Sequence, residues 1–414
     1  MKKCLCTIAA AGLLLGLALG VPRPGQAREP ERFYATRFER QPDAATLTEL
    51  GRQLFHEPAL SASGRQSCAS CHDPAHAYGP PNALAVQLGG PDGRHPGLRA
   101  VPSLMYKQTT PPFSRHFYDS DGDDSQDQGP TGGFNWDGRA SSAHEQAAGP
   151  LMSPFEMANT ERRALLQRLQ RSPSAAAMRA AFGERLFEQD EQAWRALLLA
   201  LEVFQQNPAD FAPYRSKYDD YLRGRTTLSP AEARGLALFN DANKGNCASC
   251  HPSGIKRGAF PLFTDLGHIA LGVPRNPAIP ANRNPRYRDL GGCGPLRQDL
   301  AREPEFCGLF KTPTLRNVAT RQVFFHNGVM TRLEDAVRFY AERDTRPAEF
   351  YPVDRRGRVR RTDDLPQRYQ ANLNTEPPFG GQPGDPPVLS AQDVADLVAF
   401  LHTLTDAPPA AKGP

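Results

Sequence analysis

Apolar residues recur along this chain with the spacing of helices, whereas the two-residue alternation of strands is scarce. Ser390 is placed to cap a final helix, and the apolar positions that follow it form one stripe: Val394, Leu397, Val398 and Leu401. Ser229, Pro230 and Glu232 mark another helix start, and residues 161–205 have the same helical period. The pattern predicts a mainly α fold with long ordered loops.

One pattern occurs twice at the scale of a domain. Residues 51–55, Gly-Arg-Gln-Leu-Phe, precede Cys-Ala-Ser-Cys-His at 68–72, and residues 235–239, Gly-Leu-Ala-Leu-Phe, precede the same five residues at 247–251. Such a repeat predicts two related units. We expect the first unit over residues 28–224 and the second over 225–414, with the boundary near Gly224.

Each Cys-x-x-Cys-His segment is the pattern by which haem is attached covalently in c-type cytochromes. The cysteines bond to the haem vinyl groups, and the adjacent histidine ligates the iron. The sequence therefore predicts two haem c groups, held by Cys68, Cys71 and His72 and by Cys247, Cys250 and His251. The alternative, a zinc site built from both cysteine pairs, would require the pairs to converge and leaves both histidines without a role. The fold is then expected to contain two cytochrome c-like domains.

The N-terminal segment predicts export. Lys2 and Lys3, the apolar run from Ile8 to Leu19 and a small-residue ending are typical of a secretory signal over residues 1–27. Its removal would lower the formal charge from +4 to +1, which excludes a strongly basic nucleic-acid binder. No later stretch is long enough for a membrane span, so a periplasmic location is expected. Two cysteines outside the haem segments, Cys293 and Cys307, are predicted to form a disulfide in that oxidising compartment.

Further motifs resemble the bacterial di-haem cytochrome c peroxidase and MauG family. They are Trp-Asp-Gly-Arg-Ala at 136–140, Glu-Gln-Ala-Ala-Gly-Pro at 145–150, Pro-Phe-Glu-Met at 154–157, Lys-Thr-Pro-Thr-Leu-Arg-Asn-Val at 311–318, His-Asn-Gly at 326–328 and Leu-Glu-Asp-Ala-Val at 333–337. With both haem segments in order, the resemblance covers nearly all of the chain after the signal.

The resemblance implies that the first haem reacts with peroxide. Its distal pocket would contain Glu156, Gln146 and Pro150. A carboxylate over the iron suits the transfer of a proton between the two peroxide oxygens, so Glu156 is the expected acid–base group and Gln146 the residue that orients it. Trp136 corresponds to the tryptophan that carries electrons between the two haems.

The distal ligand of the second haem distinguishes the subtypes of the family. By proximity in sequence His268, His326, Met330 and Tyr340 are all candidates. The resemblance selects Tyr340, because peroxidases of the family have methionine at this position and MauG has tyrosine. Tyrosine stabilises oxidised iron better than a thioether does. Ligation by Met330 is the alternative.

Three departures from the family pattern change what is expected. Gly90 stands where many peroxidases of the family have a histidine that caps the first iron, which predicts an open first haem; nearby His95 is expected to be a solvated loop residue. Gly245 replaces a surface tryptophan through which MauG oxidises its protein partner. Ala100 replaces an asparagine that helps to hold calcium, so calcium is either absent or bound by backbone carbonyls and water alone.

These features predict a periplasmic oxidoreductase that reacts with hydrogen peroxide at one haem and withdraws electrons, through the other, from a donor at its surface. The MauG-like version oxidises a protein substrate. The alternatives are a cytochrome c peroxidase that removes hydrogen peroxide with electrons from a small cytochrome or cupredoxin, and a di-haem electron carrier without catalytic activity.

Overall fold

The computed structural model describes residues 29–118 and 127–408. The predicted signal segment, residues 1–27, lies outside these ranges. The helices in the described ranges are α1 Glu29–Tyr34, α2 Ala44–Phe55, α3 Ala143–Met152, α4 Arg162–Gln170, α5 Ser174–Phe182, α6 Asp190–Gln205, α7 Pro208–Phe211, α8 Lys217–Leu222, α9 Pro230–Asn240, α10 Leu333–Glu342 and α11 Ala391–His402.

Strands are short, as the sequence pattern predicts. Strand β1, Leu88–Gly89, pairs antiparallel with β2, His95–Pro96, and β3, His268–Ile269, pairs antiparallel with β4, Phe310–Lys311. Ordered loops and short 3₁₀ turns connect the helices. The mainly α fold class is therefore confirmed.

The chain divides into two units of very different size. Residues up to Arg37 form the smaller one, in which the rings of Phe33 and Tyr34 meet edge to face with centroids 5.3 Å apart. All remaining described residues belong to the larger unit, from Phe38 onward. The domain boundary near Gly224 lies within this unit and stays a prediction.

Two helices begin as the sequence predicts. Ser229 caps α9: its hydroxyl accepts a hydrogen bond from the backbone N–H of Glu232, whose carboxylate accepts one from the N–H of Ser229. Ser390 and Asp393 form the same reciprocal arrangement at the start of α11. Each cap satisfies backbone donors that a helix start leaves unpaired.

The repeated glycines lie where two helices cross at close range. Gly51 is on α2, which packs against α6, and a Cβ atom there would lie 2.0 Å from the carbonyl oxygen of Ala200. Gly235 is on α9, which packs against α11, and a Cβ atom there would lie 2.0 Å from the carbonyl oxygen of Asp396. Both crossings therefore require glycine.

The core of the larger unit is rich in phenylalanine. In its C-terminal part Phe239, Phe263 and Phe400 are buried, with the rings of Phe239 and Phe400 5.2 Å apart. In its N-terminal part Phe55 and Phe204 pack at 5.5 Å. Cys293 and Cys307 form a disulfide, as predicted. Within the described part of the chain, no helix combines the length and the apolar character that a membrane crossing requires.

Candidate haem sites

The two Cys-x-x-Cys-His segments have the same local structure. Each begins with a 3₁₀ turn, Cys68–Ser70 in one and Cys247–Ser249 in the other. The backbone N–H of His72 donates to the carbonyl of Cys68 at 2.9 Å, and that of His251 donates to the carbonyl of Cys247 at 2.8 Å. Both histidines are thereby held directly beside their cysteine pairs.

Both histidine rings are oriented by a backbone carbonyl. Nδ1 of His72 lies 3.0 Å from the carbonyl oxygen of Tyr78, and Nδ1 of His251 lies 2.7 Å from that of Phe263. A carbonyl can only accept, so Nδ1 carries the proton and Nε2 is left to ligate a metal. Burial lowers the pKa of each imidazole to about 4, which keeps both neutral, as an iron ligand must be.

A large cavity adjoins the second segment. It contains about 1970 Å³ of empty space, counted out to its open mouth, and Cys247, Cys250 and His251 line it together with Tyr340. Met330 is absent from its lining and packs among the hydrophobic residues around Phe339. Of these two candidate ligands, Tyr340 is therefore the one that shares a cavity with His251.

The phenol of Tyr340 has an aromatic setting without a polar partner. Its ring lies 5.5 Å from that of Phe379 and 6.1 Å from that of Phe325. No described group forms a hydrogen bond with its hydroxyl. Burial raises the pKa of Tyr340, and the neighbouring Cys250 and Cys247 thiols add to that rise, with Arg343 opposing it. A phenolate here would therefore need an adjacent cation, which ferric iron supplies.

The two remaining ligand candidates, His268 and His326, make other contacts. Nε2 of His268 lies 2.9 Å from the carbonyl oxygen of Gly132, outside the cavity lining. His326 does line the cavity, but its ring is stacked on that of Phe310 with centroids 3.6 Å apart and planes 10° apart. Neither shares the aromatic setting of Tyr340.

Glu156 lies beside the first attachment segment. Burial raises the pKa of the Cys68 thiol to about 12 and that of the Cys71 thiol to about 11, and the Glu156 carboxylate adds to both. Surface of Glu156 is accessible, yet protein encloses the carboxyl closely enough that burial raises its pKa, against smaller opposing effects of Ser153 and Arg139. Glu156 is thus solvent-accessible and close to the first cysteine pair.

Two neighbouring loops hold Glu156 in place. Its backbone N–H donates to the carbonyl of Ser153 at 3.1 Å, and the N–H of Met157 donates to the carbonyl of Pro150 at the end of α3. On the other side, the N–H of Gly90 donates to the carbonyl of Glu156 at 2.7 Å. A Cβ atom at Gly90, where φ is +82°, would lie 2.6 Å from the His95 ring, so a histidine would not fit there without rearrangement.

Gln146 and Trp136 line a second, smaller cavity. The Gln146 amide donates to Oδ1 of Asn135 at 3.4 Å, and no hydrogen bond joins it to Glu156 in the described structure. The direct orienting contact that the sequence suggested is therefore not present here, because the side-chain amide points to the residue next to Trp136. The catalytic contribution of Gln146 stays a prediction.

Trp136 lines both cavities. Its indole N–H donates to the carbonyl of Ala100 at 2.7 Å, and its own carbonyl accepts the N–H of Lys311 at 2.8 Å. The residue is 9% exposed. It thus adjoins the second haem cavity on one side and the pocket of Gln146 on the other, the position that a relay would need; the relay itself stays a prediction.

Three basic residues that line the large cavity received no site role from the sequence: Lys107, Lys311 and Arg321. Arg321 donates to the carbonyls of Val101 and Val323 and, like Lys107, is paired with no described carboxylate. Burial lowers the pKa of Lys107 to about 8 and that of Arg321 to about 10. Haem carries two negatively charged propionates, and buried basic side chains without a carboxylate partner suit these charges. The neutral imidazoles of His72 and His251 suit the iron. Lys311 belongs to the family motif at 311–318, whereas no sequence pattern marks Lys107.

The arrangement of ligands in the described residues gives no support to the alternative of a zinc site. Among the described residues, no group of three or more His, Cys, Asp or Glu side chains could hold a metal ion, so the two cysteine pairs do not converge on a zinc site. At Ala100 both backbone groups are engaged, the carbonyl by Trp136 and the N–H by the carbonyl of His326 at 2.7 Å.

A mainly helical chain with two such attachment segments, one facing a tyrosine and the other a carboxyl, is a c-type cytochrome with two unlike haem sites. The profile of the di-haem cytochrome c peroxidase family matches residues 45–227. The methylamine utilization protein MauG of Paracoccus denitrificans is 33% identical over 421 residues, covering 95% of this chain and 94% of that protein.

Two further relatives support the same assignment. The cytochrome c551 peroxidase of Nitrosomonas europaea is 28% identical over 301 residues, covering 72% of this chain and 73% of its own. The solved structure of the di-haem peroxidase BthA from Burkholderia thailandensis is 41% identical and covers 92% of each chain, with a TM-score of 0.78. The chain belongs to the di-haem cytochrome c peroxidase and MauG family, and it is an enzyme.

Proposed function

We propose that this protein is a periplasmic, MauG-like di-haem peroxidase that reacts with hydrogen peroxide at its first haem site and oxidises an external donor through its second. The observation that carries the proposal is the sharing of one cavity by Tyr340 and His251, while Met330 packs outside it. A tyrosine ligand favours the oxidised state of iron more strongly than methionine does. The secretory pattern of residues 1–27 and the disulfide support the periplasmic location.

The side chains of the first site suit proton transfer. Haem iron, when bound, supplies the redox chemistry of peroxide reduction. The raised pKa of Glu156 lets its carboxyl hold a proton more readily than an ordinary carboxyl does. Gly90 provides no side chain that could cap the first iron. Pro150 and Ser153 fix the loop, so the carboxyl is positioned before substrate arrives.

The second site and Trp136 suit the withdrawal of electrons. Trp136 adjoins the cavity of His251; its indole N–H donates to the carbonyl of Ala100, and its own carbonyl accepts the N–H of Lys311. Its fixed, buried ring supports a role as relay between the sites. The donor is either a side chain of a protein substrate or a small redox protein. The missing tryptophan at Gly245 favours a docking route different from that of MauG.

Spectra of the ligand variants test the subtype. Tyr340→Phe in the holoprotein should change the electron paramagnetic resonance (EPR) signal of the second haem, whereas Met330→Leu should leave it as in the wild type. The opposite outcome would assign the ligand to Met330 and with it a cytochrome c peroxidase. Steady-state turnover of reduced cytochrome c with hydrogen peroxide then measures the donor preference: slow turnover despite fast reaction with peroxide supports a protein substrate.

A further inference from the structure

A buried tyrosine outside both haem sites is paired with a carboxylate. Tyr106 is 2% exposed, and its phenol oxygen lies 2.9 and 2.8 Å from the two carboxylate oxygens of Asp406. The same phenol oxygen accepts the backbone N–H of Tyr214 at 3.1 Å. Asp406 also accepts hydrogen bonds from the N–H of Arg215 and the side-chain amide of Asn317. Both members of the pair are therefore fixed in position.

The pair adjoins the haem cavity. Tyr106 directly precedes Lys107, which lines the cavity. The guanidinium of Arg316 lies 4.6 Å from the centre of the Tyr106 ring and lines the same cavity as His251. One side chain, Arg316, thus spans the distance between the Tyr106 ring and the cavity wall.

The chemical nature of the acceptor sets Tyr106 apart from other buried tyrosines. A phenol that loses an electron becomes a strong acid, so its oxidation is easiest where a proton acceptor is already hydrogen-bonded to it. The hydroxyls of Tyr218 and Tyr351 donate to the backbone carbonyls of Ser253 and Gly272, which are poor proton acceptors. A carboxylate forms the stronger, charge-assisted bond and can take the proton.

We propose that Tyr106 is a redox-active residue, which gives one electron to the peroxide-oxidised haem centre while its proton moves to Asp406. Reduction of hydrogen peroxide to two waters takes two electrons and two protons, and Tyr106 supplies one of those electrons. The phenol O–H bond breaks, an O–H bond forms on Asp406, and a neutral tyrosyl radical remains. An electron from the external donor and return of the proton restore the phenol.

An aromatic path leads from Tyr106 toward the surface. The ring of Tyr214 lies 5.0 Å from that of Tyr106, and the ring of Phe260 lies 5.8 Å from that of Tyr214. Tyr214 and Phe260 are both partly exposed. The radical would therefore hold an oxidising equivalent within reach of a donor docked at this face. This inference rests on the proposed function, because hydrogen peroxide is the oxidant.

Freeze-quenched EPR of the holoprotein, mixed with one equivalent of hydrogen peroxide and no donor, tests the proposal. Wild type should give a tyrosyl radical signal. Tyr106→Phe, which removes only the hydroxyl, should lower its amplitude by at least about tenfold, and Asp406→Asn, which keeps an acceptor oxygen for only one of the two donors Arg215 and Asn317, by about tenfold. Tyr351→Phe is the matched control, equally buried and with a carbonyl acceptor, and should keep the signal.

The outcomes separate this inference from the proposed function. Haem absorption, followed in the same mixtures, reports the reaction with peroxide. If absorption changes at the wild-type rate but Tyr106→Phe retains the radical signal, or wild type gives none, the inference fails while the peroxidase function holds. If absorption of the wild type does not respond to peroxide, the proposed function fails. Haem content and thermal melting of each variant establish that it is folded.

Discussion

Arg99 joins two buried carboxylates next to Trp136, and Arg99→Met should be strongly destabilising. Its guanidinium donates to both oxygens of Asp289, at 2.6 and 2.8 Å, and to Asp137 at 2.7 Å. The side chains of Arg99, Asp289 and Asp137 are 6%, 7% and 0% exposed, respectively. Methionine keeps much of the apolar volume but leaves the carboxylates without this cation.

The expected loss of stability follows from the partners that the two carboxylates keep. Asp137 keeps an ion pair with Arg139 at 3.0 Å, whereas Asp289 keeps only the backbone N–H of Gly291 at 3.2 Å. Removing one partner of a buried ion pair costs roughly 3–5 kcal/mol. We therefore expect the free energy of unfolding to fall by about 3–5 kcal/mol, a large fraction of the roughly 5–15 kcal/mol typical of folded domains.

The loss should depend on pH with a defined sign. Burial raises the pKa of Asp137, but the charges of Arg99 and Arg139 outweigh it and the net pKa is lowered. In the wild type this carboxylate stabilises the fold above its ordinary pKa of 3.8, and the contribution is lost as pH falls through the lower folded-state value. Without Arg99, the lowering effect of its charge on the pKa of Asp137 is lost, so burial favours the protonated form of this carboxyl more strongly. The deficit of Arg99→Met should therefore be smaller at about pH 5 than at about pH 8.

Chemical denaturation followed by circular dichroism at both pH values measures the effect. Arg52→Met is the matched control: Arg52 also binds both oxygens of one carboxylate, Asp210, at 3.0 and 2.9 Å, but its side chain is 37% exposed. Partly exposed ion pairs contribute about 0–1 kcal/mol. Equal losses in the two variants, or a deficit of Arg99→Met that does not change with pH, would refute the reasoning.

Three further predictions concern the site and the disulfide. Glu156→Gln should slow the reaction with peroxide roughly 100-fold or more, and it should abolish the rise in rate that the wild type shows as pH increases through the raised pKa of this carboxyl. The exposed control Glu188→Gln should react like the wild type. Stopped-flow absorption measures both rates. Metal analysis of protein purified without chelator should find no stoichiometric calcium, because no cluster of three or more His, Cys, Asp or Glu side chains in the described part of the chain could hold it; one calcium per chain would contradict this and point to backbone carbonyls and water as its ligands. Replacing Cys293 and Cys307 by serine should lower the free energy of unfolding by about 3 kcal/mol, the value for a loop of this length; an unchanged denaturation midpoint would contradict it.

The haem segments could be predicted from sequence, but the groups that orient their histidines could not. Tyr78 and Phe263 supply the carbonyls, and they stand six and twelve residues after their histidines. Both have positive φ, 51° and 53°, a conformation that bulky side chains rarely adopt. No local pattern marks such residues, because the surrounding packing imposes the conformation.

The charged groups around Trp136 show the same limit. Asp289 stands 190 residues after its partner Arg99, and Arg99, Lys107 and Asp289 all belong to loops, so no spacing rule brings Asp289 to the other two. Motif reasoning likewise assigned Gln146 to the orientation of Glu156, whereas its amide donates to Asn135. Motifs identified the residues of the site; only the fold determines which of them meet.

The repeated Gly-x-x-Leu-Phe segment is the place where sequence and structure agree most closely, and packing explains why. In each copy the glycine lets a second helix approach until its carbonyl oxygen occupies the space of a Cβ atom, and the phenylalanine four positions later, Phe55 or Phe239, is buried beside the same crossing. An alanine at Gly51 or Gly235 would force the helices apart. The repeat therefore encodes the helix crossing that precedes each haem segment, and this requirement persists although the two sites differ in chemistry.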